Sequence, residues 1–239
     1  VPGGTLGTVS EYAERPSAHD IFACTWSRAS TVDEPPTHVV PDGCADVLWH
    51  QASGRLFVAG PDTRAHRTAL SAGLLVAVRF LPGRAPAGLG VPSSAVRDER
   101  VDLDRLWPGD RVRRLTDALA AAPDIVAAER VLADAVAGVR GDWDAAVPRL
   151  VSLVRRGDRM AAVADDLGWT ERQLHRRSLA AFGYGPKTLQ RVLRFDRALR
   201  LARDGTDLAS VAYSTGYADQ AHLARDVKAF AGVPMTTLL

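Results

Sequence analysis

One eight-residue run in this chain is written twice, and nothing else in the sequence constrains the fold as tightly. The run Ala162-Val163-Ala164-Asp165-Asp166-Leu167-Gly168-Trp169 returns, altered but legible, as Ser210-Val211-Ala212-Tyr213-Ser214-Thr215-Gly216-Tyr217. The offset is 48 residues up to the glycine-aromatic pair and 49 beyond it, where Leu174 matches Leu223, Arg176 matches Arg225 and Gly183 matches Gly232. Each copy has the pattern of a short helix, a glycine turn and a second helix with a polar, basic face. That is a helix-turn-helix, a device that sets one helix in the DNA major groove.

The second helix of such a unit must begin cleanly, because its first turn approaches the bases. In the first copy Thr170 followed by Gln173 forms the pattern of a capping box. Leu174 and Phe182 then face a core, which leaves Arg172, His175 and Arg176 pointing outward. In the second copy Asp219 is the natural N-cap. Gln220, His222 and Arg225 lie beyond it on one side, Leu223 and Phe230 on the buried side, and Lys228 is better placed for phosphate than for base edges. Arginine grips guanine through two bonds, whereas His and Gln make less selective contacts. On one isolated helix such arginines would read as a solvated face; their recurrence after the same turn favours a DNA-reading role. Between the copies, residues 187–203 read as one arginine-rich helix roughly 25 Å long. As a rigid spacer it would hold two heads about one DNA turn, or ~34 Å, apart. Its arginines would touch phosphates or simply keep it solvated.

Charge divides the chain in the same place. Residues 1–148 hold 15 Arg and no Lys against 19 acids, net −4, while residues 149–239 hold 13 Arg and 2 Lys against 9 acids, net +6. A basic half joined to an acidic half suits a nucleic-acid reader with a separate second domain. No run approaches the length of a membrane span, and the N-terminus lacks a signal-peptide pattern, so a cytoplasmic location is expected. The first residue is Val, which suggests processing or a trimmed chain.

Residues 1 to about 108 have a strand-like pattern. Short apolar runs at 38–40, 45–49, 55–59 and 74–80 are bounded by Pro41-Asp42-Gly43, Ser53-Gly54, Gly60-Pro61-Asp62 and Pro82-Gly83. They predict an antiparallel barrel or sandwich. From Asp110 the period changes to that of two amphipathic helices broken at Pro123. Asp144 is placed to cap a further helix carrying Val147, Leu150, Val151 and Val154. The fold class is therefore α+β: a β-barrel-like domain with helices at 110–138 over residues 1–140, and an all-α domain over 141–239. Within the latter, the units fall at 159–183 and 207–231, joined by the helix at 187–203.

The residues from Arg159 to Leu239 resemble the DNA-binding domain of AraC/XylS transcription regulators. The most specific match is Gly216-Tyr217-Ala218-Asp219-Gln220-Ala221-His222-Leu223-Ala224-Arg225-Asp226-Val227-Lys228, running on to Gly232-Val233-Pro234. The resemblance implies base reading by Arg172, His175 and Arg176 in the first unit, and by Gln220, Ala221 and Arg225 in the second. It departs at Ser178 and Leu179, where the family usually has Phe and a basic residue, and at Leu223 and Val227, where aromatics are common. The N-terminal runs Val40–Leu48, Val58–Pro61 and Val78–Gly83 resemble, less specifically, the cupin-like sensor domains of one branch of that family. Implied partners are double-stranded promoter DNA, a small-molecule effector, RNA polymerase for an activator, and a second copy of the chain.

The N-terminal half offers little chemistry of its own. His19, His38, His50 and His66 are scattered with no His-x-His pair, so neither a metal site nor another cofactor is expected, and the chain is not expected to be an enzyme. Cys24 and Cys44 are either a redox pair or small buried packers. For an effector, Trp26 and Trp49 would supply aromatic walls, and His38 and Arg79 would orient a polar or anionic group, if their strands line one cavity. Otherwise both tryptophans belong to a core and Arg79 pairs with Asp42 or Asp46. The competing functions are a cupin-type enzyme, or a ligand-free scaffold, fused to a DNA-binding module.

Overall fold

The computed structural model describes residues 10–33, 35–69 and 71–239. Alternating and continuous apolar runs in the first half form β1 (Ser10–Arg15), β2 (Phe22–Ser30), β3 (Thr37–Val39), β4 (Asp46–His50), β5 (Arg55–Ala59), β6 (His66–Thr68), β7 (Gly73–Phe80) and β8 (Arg100–Asp102). Six of them make one antiparallel sheet in the order β1-β2-β7-β4-β5-β8, and β3 pairs with β6 as a separate ribbon. The expected barrel is thus an open sheet: β1 and β8 are its two edges among the described residues.

One face of this sheet is covered by helices. α1 (Ala85–Leu89), α2 (Gly109–Ala120) and α3 (Ile125–Ala137) follow β7 in the chain. Leu115, Leu119, Leu132 and Val136 from α2 and α3 pack on Trp49, Val58, Val76, Val78 and Phe80 in one core. Each large aliphatic side chain so buried contributes about 1.5–3 kcal/mol. Asp124, after the Pro123 break, caps α3 by accepting from the Ala127 amide. A buried carboxylate ties α3 to the sheet: Glu129 accepts from Arg15 Nη1 at 2.6 Å and from Thr25 Oγ1 at 2.8 Å. The opposite face carries a smaller cluster of Cys24, Trp26, Leu48, Leu75 and Ala77.

After a helix-free stretch, six helices share a second core. They are α4 (Val147–Arg156), α5 (Met160–Asp166), α6 (Glu171–Phe182), α7 (Pro186–Arg203), α8 (Leu208–Ser214) and α9 (Gln220–Ala231). The stripe Val147, Leu150, Val151 and Val154 is buried as its spacing predicts. Asp144 lies two residues ahead of the α4 N-cap, Ala146, and accepts from the Ala146 amide without capping the helix itself. In both repeats the turn glycine, Gly168 or Gly216, takes a left-handed φ (+66° and +77°), which a side chain resists.

The two cores touch. Val40 packs on the helical core, and a Cβ at Gly43 would meet Leu193 Cδ2 at 3.3 Å. Burial pushes the Cys44 thiol beside this loop far up, and Cys24 up to about 11, so both favour the protonated, unreactive form. Both thiols are free.

Candidate nucleic-acid interface

The first reading helix, α6, starts with a complete capping box. The Gln173 amide donates to Thr170 Oγ1 at 3.2 Å, and the Thr170 amide donates to Gln173 Oε1 at 2.8 Å. This removes two of the orphan donors at the helix start. Leu174, Ser178, Ala181 and Phe182 are buried, and Arg172, His175 and Arg176 are exposed on the other side. The His175 ring lies against Gly185, where a Cβ would come within 2.9 Å of it. Ser178, one of the departures from the family pattern, is fully buried and donates to the Tyr184 carbonyl at 2.8 Å. A small hydroxyl there fastens the end of α6 to the start of α7.

The second reading helix, α9, repeats the design with different parts. Asp219 Oδ1 accepts from the His222 amide at 2.6 Å. Gln220, Ala221, Arg225 and Lys228 are exposed, whereas Leu223, Val227 and Phe230 are buried. His222 differs from its expected placement beside Gln220 and Arg225. Its Nδ1 accepts from the Ala218 amide, and its ring stands edge-on to Tyr217 at 5.1 Å. It braces the turn instead of extending outward, because a half-buried ring next to the turn finds both a donor and an aromatic face. Thr170 and Asp219 likewise have their caps as hydrogen-bond partners.

The arginines divide into structural and free sets. Asp226 on α9 accepts from Arg191 Nη2 at 2.7 Å and from Arg194 Nη2 at 2.9 Å, both on α7. Burial works against the Asp226 charge, but the hydrogen bonds and charges of the two guanidiniums outweigh it and hold the carboxyl below the usual carboxylate range. Arg194 also stacks on Tyr217, and Arg191 on Phe230. In the first unit Arg177 pairs with Asp144 at 2.6 Å and stacks on Trp169. Arg200 pairs with Asp196 along α7. By contrast, no ion pair engages Arg172, Arg176, Arg225 or Lys228 among the described residues. The linker α7 runs 18 residues, about 27 Å at 1.5 Å per residue.

The residues expected around an effector do not share a cavity. Trp26 is opposite Ala77, and Ala77 opposite Leu48, on one face; Trp49 is opposite Val76 on the other, under the helices. Strand register puts the two indoles on opposite sides of the sheet, since side chains alternate with a period of two. Trp26 Nε1 and Arg79 Nε both donate to Asp46 Oδ1, at 3.0 and 3.1 Å, so Arg79 is held by Asp46. His38 stands on the separate ribbon, opposite Arg67. A cleft of about 570 Å³ does open between the ribbon and the uncovered face, lined by His50, Arg55, Phe57, His66, Arg67 and Arg100 among others. Sequence reasoning missed it. The basic pair His66 and Arg67 on the short strand β6, just after Arg64, was the available signal. Among the described residues, no group of three or more His, Cys, Asp or Glu side chains is arranged to hold a metal ion.

Comparison with known proteins agrees with the helical geometry. Residues 163–239 match a family described as a helix-turn-helix domain, and residues 11–102 match a domain of unknown function (DUF6597). Among solved structures, apo ToxT from Vibrio cholerae is similar at 13% identity, covering 100% of both chains with a TM-score of 0.44. ToxT from the same species bound to an unsaturated fatty acid is similar at 13% identity, covering 100% of this chain and 97% of that one, also with a TM-score of 0.44. No curated protein matches in sequence. With its two capped units, its linker helix and this family match, the C-terminal part of the chain is a double helix-turn-helix domain of the kind that binds DNA.

Proposed function

We propose that α6 and α9 enter consecutive major-groove segments of promoter DNA, and that the sheet domain responds to a small molecule. The observation that carries the first half is the pair of cleanly capped helices whose outward cations are left outside the ion-pair network holding the fold. Arg172 and Arg176 in the first head, with Gln220 and Arg225 in the second, read base edges; His175 adds a weaker contact, Lys228 meets phosphate, and Ala221 offers only apolar contact. The two heads are unlike, so the site is asymmetric. The units are those at 159–183 and 207–231, in a domain that starts near residue 141.

For the effector, the cleft beside β6 supports the reading better than the set Trp26, His38, Trp49 and Arg79, in which Trp49 lies across the sheet, His38 stands on the ribbon and Trp26 and Arg79 are both engaged by Asp46. Its wall combines Phe57 and Leu75 with Arg67 and two imidazoles, a setting for a small molecule with an apolar body and an anionic end. As a regulator it works in the cytoplasm and, where it activates, alongside RNA polymerase; the sheet domain also serves for pairing with a second copy. No helix among the described residues is long and apolar enough to cross a membrane.

Selection of bound duplexes from random sequence tests the reading. Binding should weaken steeply with salt, because phosphate neutralisation dominates affinity. Arg225→Ala should cost about 1–3 kcal/mol and relax preference at one base pair. An equal loss on every sequence would make Arg225 a phosphate contact, and the absence of any selected motif would refute sequence-specific reading. A thermal-shift screen against small organic acids tests the cleft; no stabilising ligand would favour a ligand-free scaffold.

A further inference from the structure

Both reading helices end against the other domain. The last four carbonyls of an α-helix have no partner within it, and here three carbonyls at the ends of α6 and α9 find one in the sheet domain. Ser93 Oγ, on a buried residue, donates to the Ala181 carbonyl at 2.8 Å. Arg97 Nη1 donates to the Gly183 carbonyl at 3.1 Å, just past α6. The Ala65 amide donates to the Phe230 carbonyl in the last turn of α9.

These three donors belong to two loops that are fastened together. Asp98 accepts from the Thr63 amide at 2.6 Å and from the Thr63 hydroxyl at 2.9 Å, and its own amide donates to the Pro61 carbonyl. Arg100 grips Asp62 through two bonds of 3.0 and 2.7 Å. The Gly60 amide donates to the Glu99 carbonyl, and a Cβ at Gly60 would overlap the Val96 carbonyl oxygen. Asp98 itself holds a left-handed φ of +60° to make these bonds. Gly183 is where the loops converge on α6: a Cβ there would lie 3.1–3.2 Å from Ser93, Arg97 and Pro61. One end of the assembly, Arg100, also lines the cleft between the sheet and the ribbon.

We infer that Ser93, Arg97 and the Ala65 amide are positioning residues for DNA recognition: the joined loops 60–65 and 93–100 bracket the ends of α6 and α9 and set the step between the two heads. Part of the operator spacing is then specified by the domain that does not touch DNA. Within the helical domain α7 and the Asp226 clamp already link the heads, but the bracket is a second, independent tie. The inference rests on the two-headed reading proposed above.

The test uses the full chain and the duplex that it selects, together with duplexes in which the gap between the two half-contacts is longer or shorter by one base pair. Wild type should prefer its own spacing by about tenfold or more. Arg97→Ala, and the milder Ser93→Ala, should reduce that preference several-fold through a gain in relative affinity for the altered spacings. Arg97→Lys, which keeps a donor for the Gly183 carbonyl, should restore most of it. A merely structural role would lower the melting temperature of these variants and leave the ratio between spacings unchanged, and that outcome overturns the inference. If wild type binds its site but shows no spacing preference, the inference fails while the DNA reading stands. If wild type selects no duplex, the reading beneath it fails as well.

Discussion

Gly183 and Gly232 close α6 and α9 at equivalent positions of the repeat, with φ of +78° and +73°. Replacing each with Ala is therefore a matched experiment on one chain. An L side chain in the left-handed region costs about 1–2 kcal/mol. At Gly232 nothing lies within 4 Å of the added Cβ, so that conformational cost is the whole effect. At Gly183 the Cβ would stand 3.1 Å from the Ser93 carbonyl oxygen and from Arg97 Cβ, and 3.2 Å from Pro61 Cγ. Backbone and a ring edge give way poorly, and overpacking of this kind adds about 1–3 kcal/mol. With roughly 2–4 °C lost per kcal/mol for a chain of this size, Gly232→Ala should lower the melting temperature by about 2–8 °C. Gly183→Ala should lower it by about twice as much. Differential scanning calorimetry of both variants at one pH reads the difference directly. Equal losses would mean that the loops at 61 and 93–97 do not press on α6 in solution, and the packing argument would be wrong.

Asp226→Ala leaves Arg191 and Arg194 facing each other without their shared counter-ion. Both are partly exposed, so a loss of about 1–3 kcal/mol is expected in urea unfolding. Because the folded carboxyl of Asp226 lies below its ordinary range, its contribution is present above the ordinary value and is lost as pH falls through the folded one; the variant should lack that acid limb. Asp196 has the opposite sign. Burial pushes its carboxyl up to about 6 against the pull of Arg200, so stability falls as pH rises from the ordinary carboxylate value to about 6. Asp196→Asn should be flat across that window and about 1–3 kcal/mol more stable than wild type at pH 7–8, as unfolding curves at several pH values will show. Thr170→Ala removes the α6 capping box at a cost of about 1 kcal/mol. On duplexes mutated one half at a time, it should blunt base preference at the first head and spare the second.

The helical half was largely legible because its signals are local. Caps, turn glycines and apolar spacing all act within a few residues, and Thr170, Gly168 and Asp219 do what their positions suggest. The runs at 45–49, 55–59 and 74–80 lie on strands for the same reason. What local pattern does not encode is which strand neighbours which. The placement of Trp26 and Trp49 on opposite faces follows from the pairing of β2 and β4 with β7, a long-range register. The sorting of arginines was equally hidden: Arg191 and Arg225 look alike in sequence, yet one is bound to Asp226 and the other stands exposed. The links from Ser93, Arg97 and Ala65 to the reading helices join residues more than 80 apart, beyond the reach of any periodicity.

The duplicated units differ in charge at one repeat position, and the difference bears on which helix fits which berth. Arg177 and Asp226 occupy the same repeat position, 49 residues apart, with opposite charge. Each meets its counter-ion on the helix or turn that precedes its own unit, Asp144 for one and Arg191 with Arg194 for the other. α6 and α9 bury the same repeat positions, Leu174 with Leu223, Ser178 with Val227, Ala181 with Phe230 and Phe182 with Ala231, so their stripes share a spacing while differing in side-chain size. If α6 docked in the place of α9, Arg177 would join two arginines; two like charges ~4 Å apart repel by about 4 kcal/mol near a protein surface. The reverse error would set Asp226 against Asp144. The sign reversal at one repeat position thus disfavours the exchanged arrangement on electrostatic grounds, beside the differing sizes of the buried side chains.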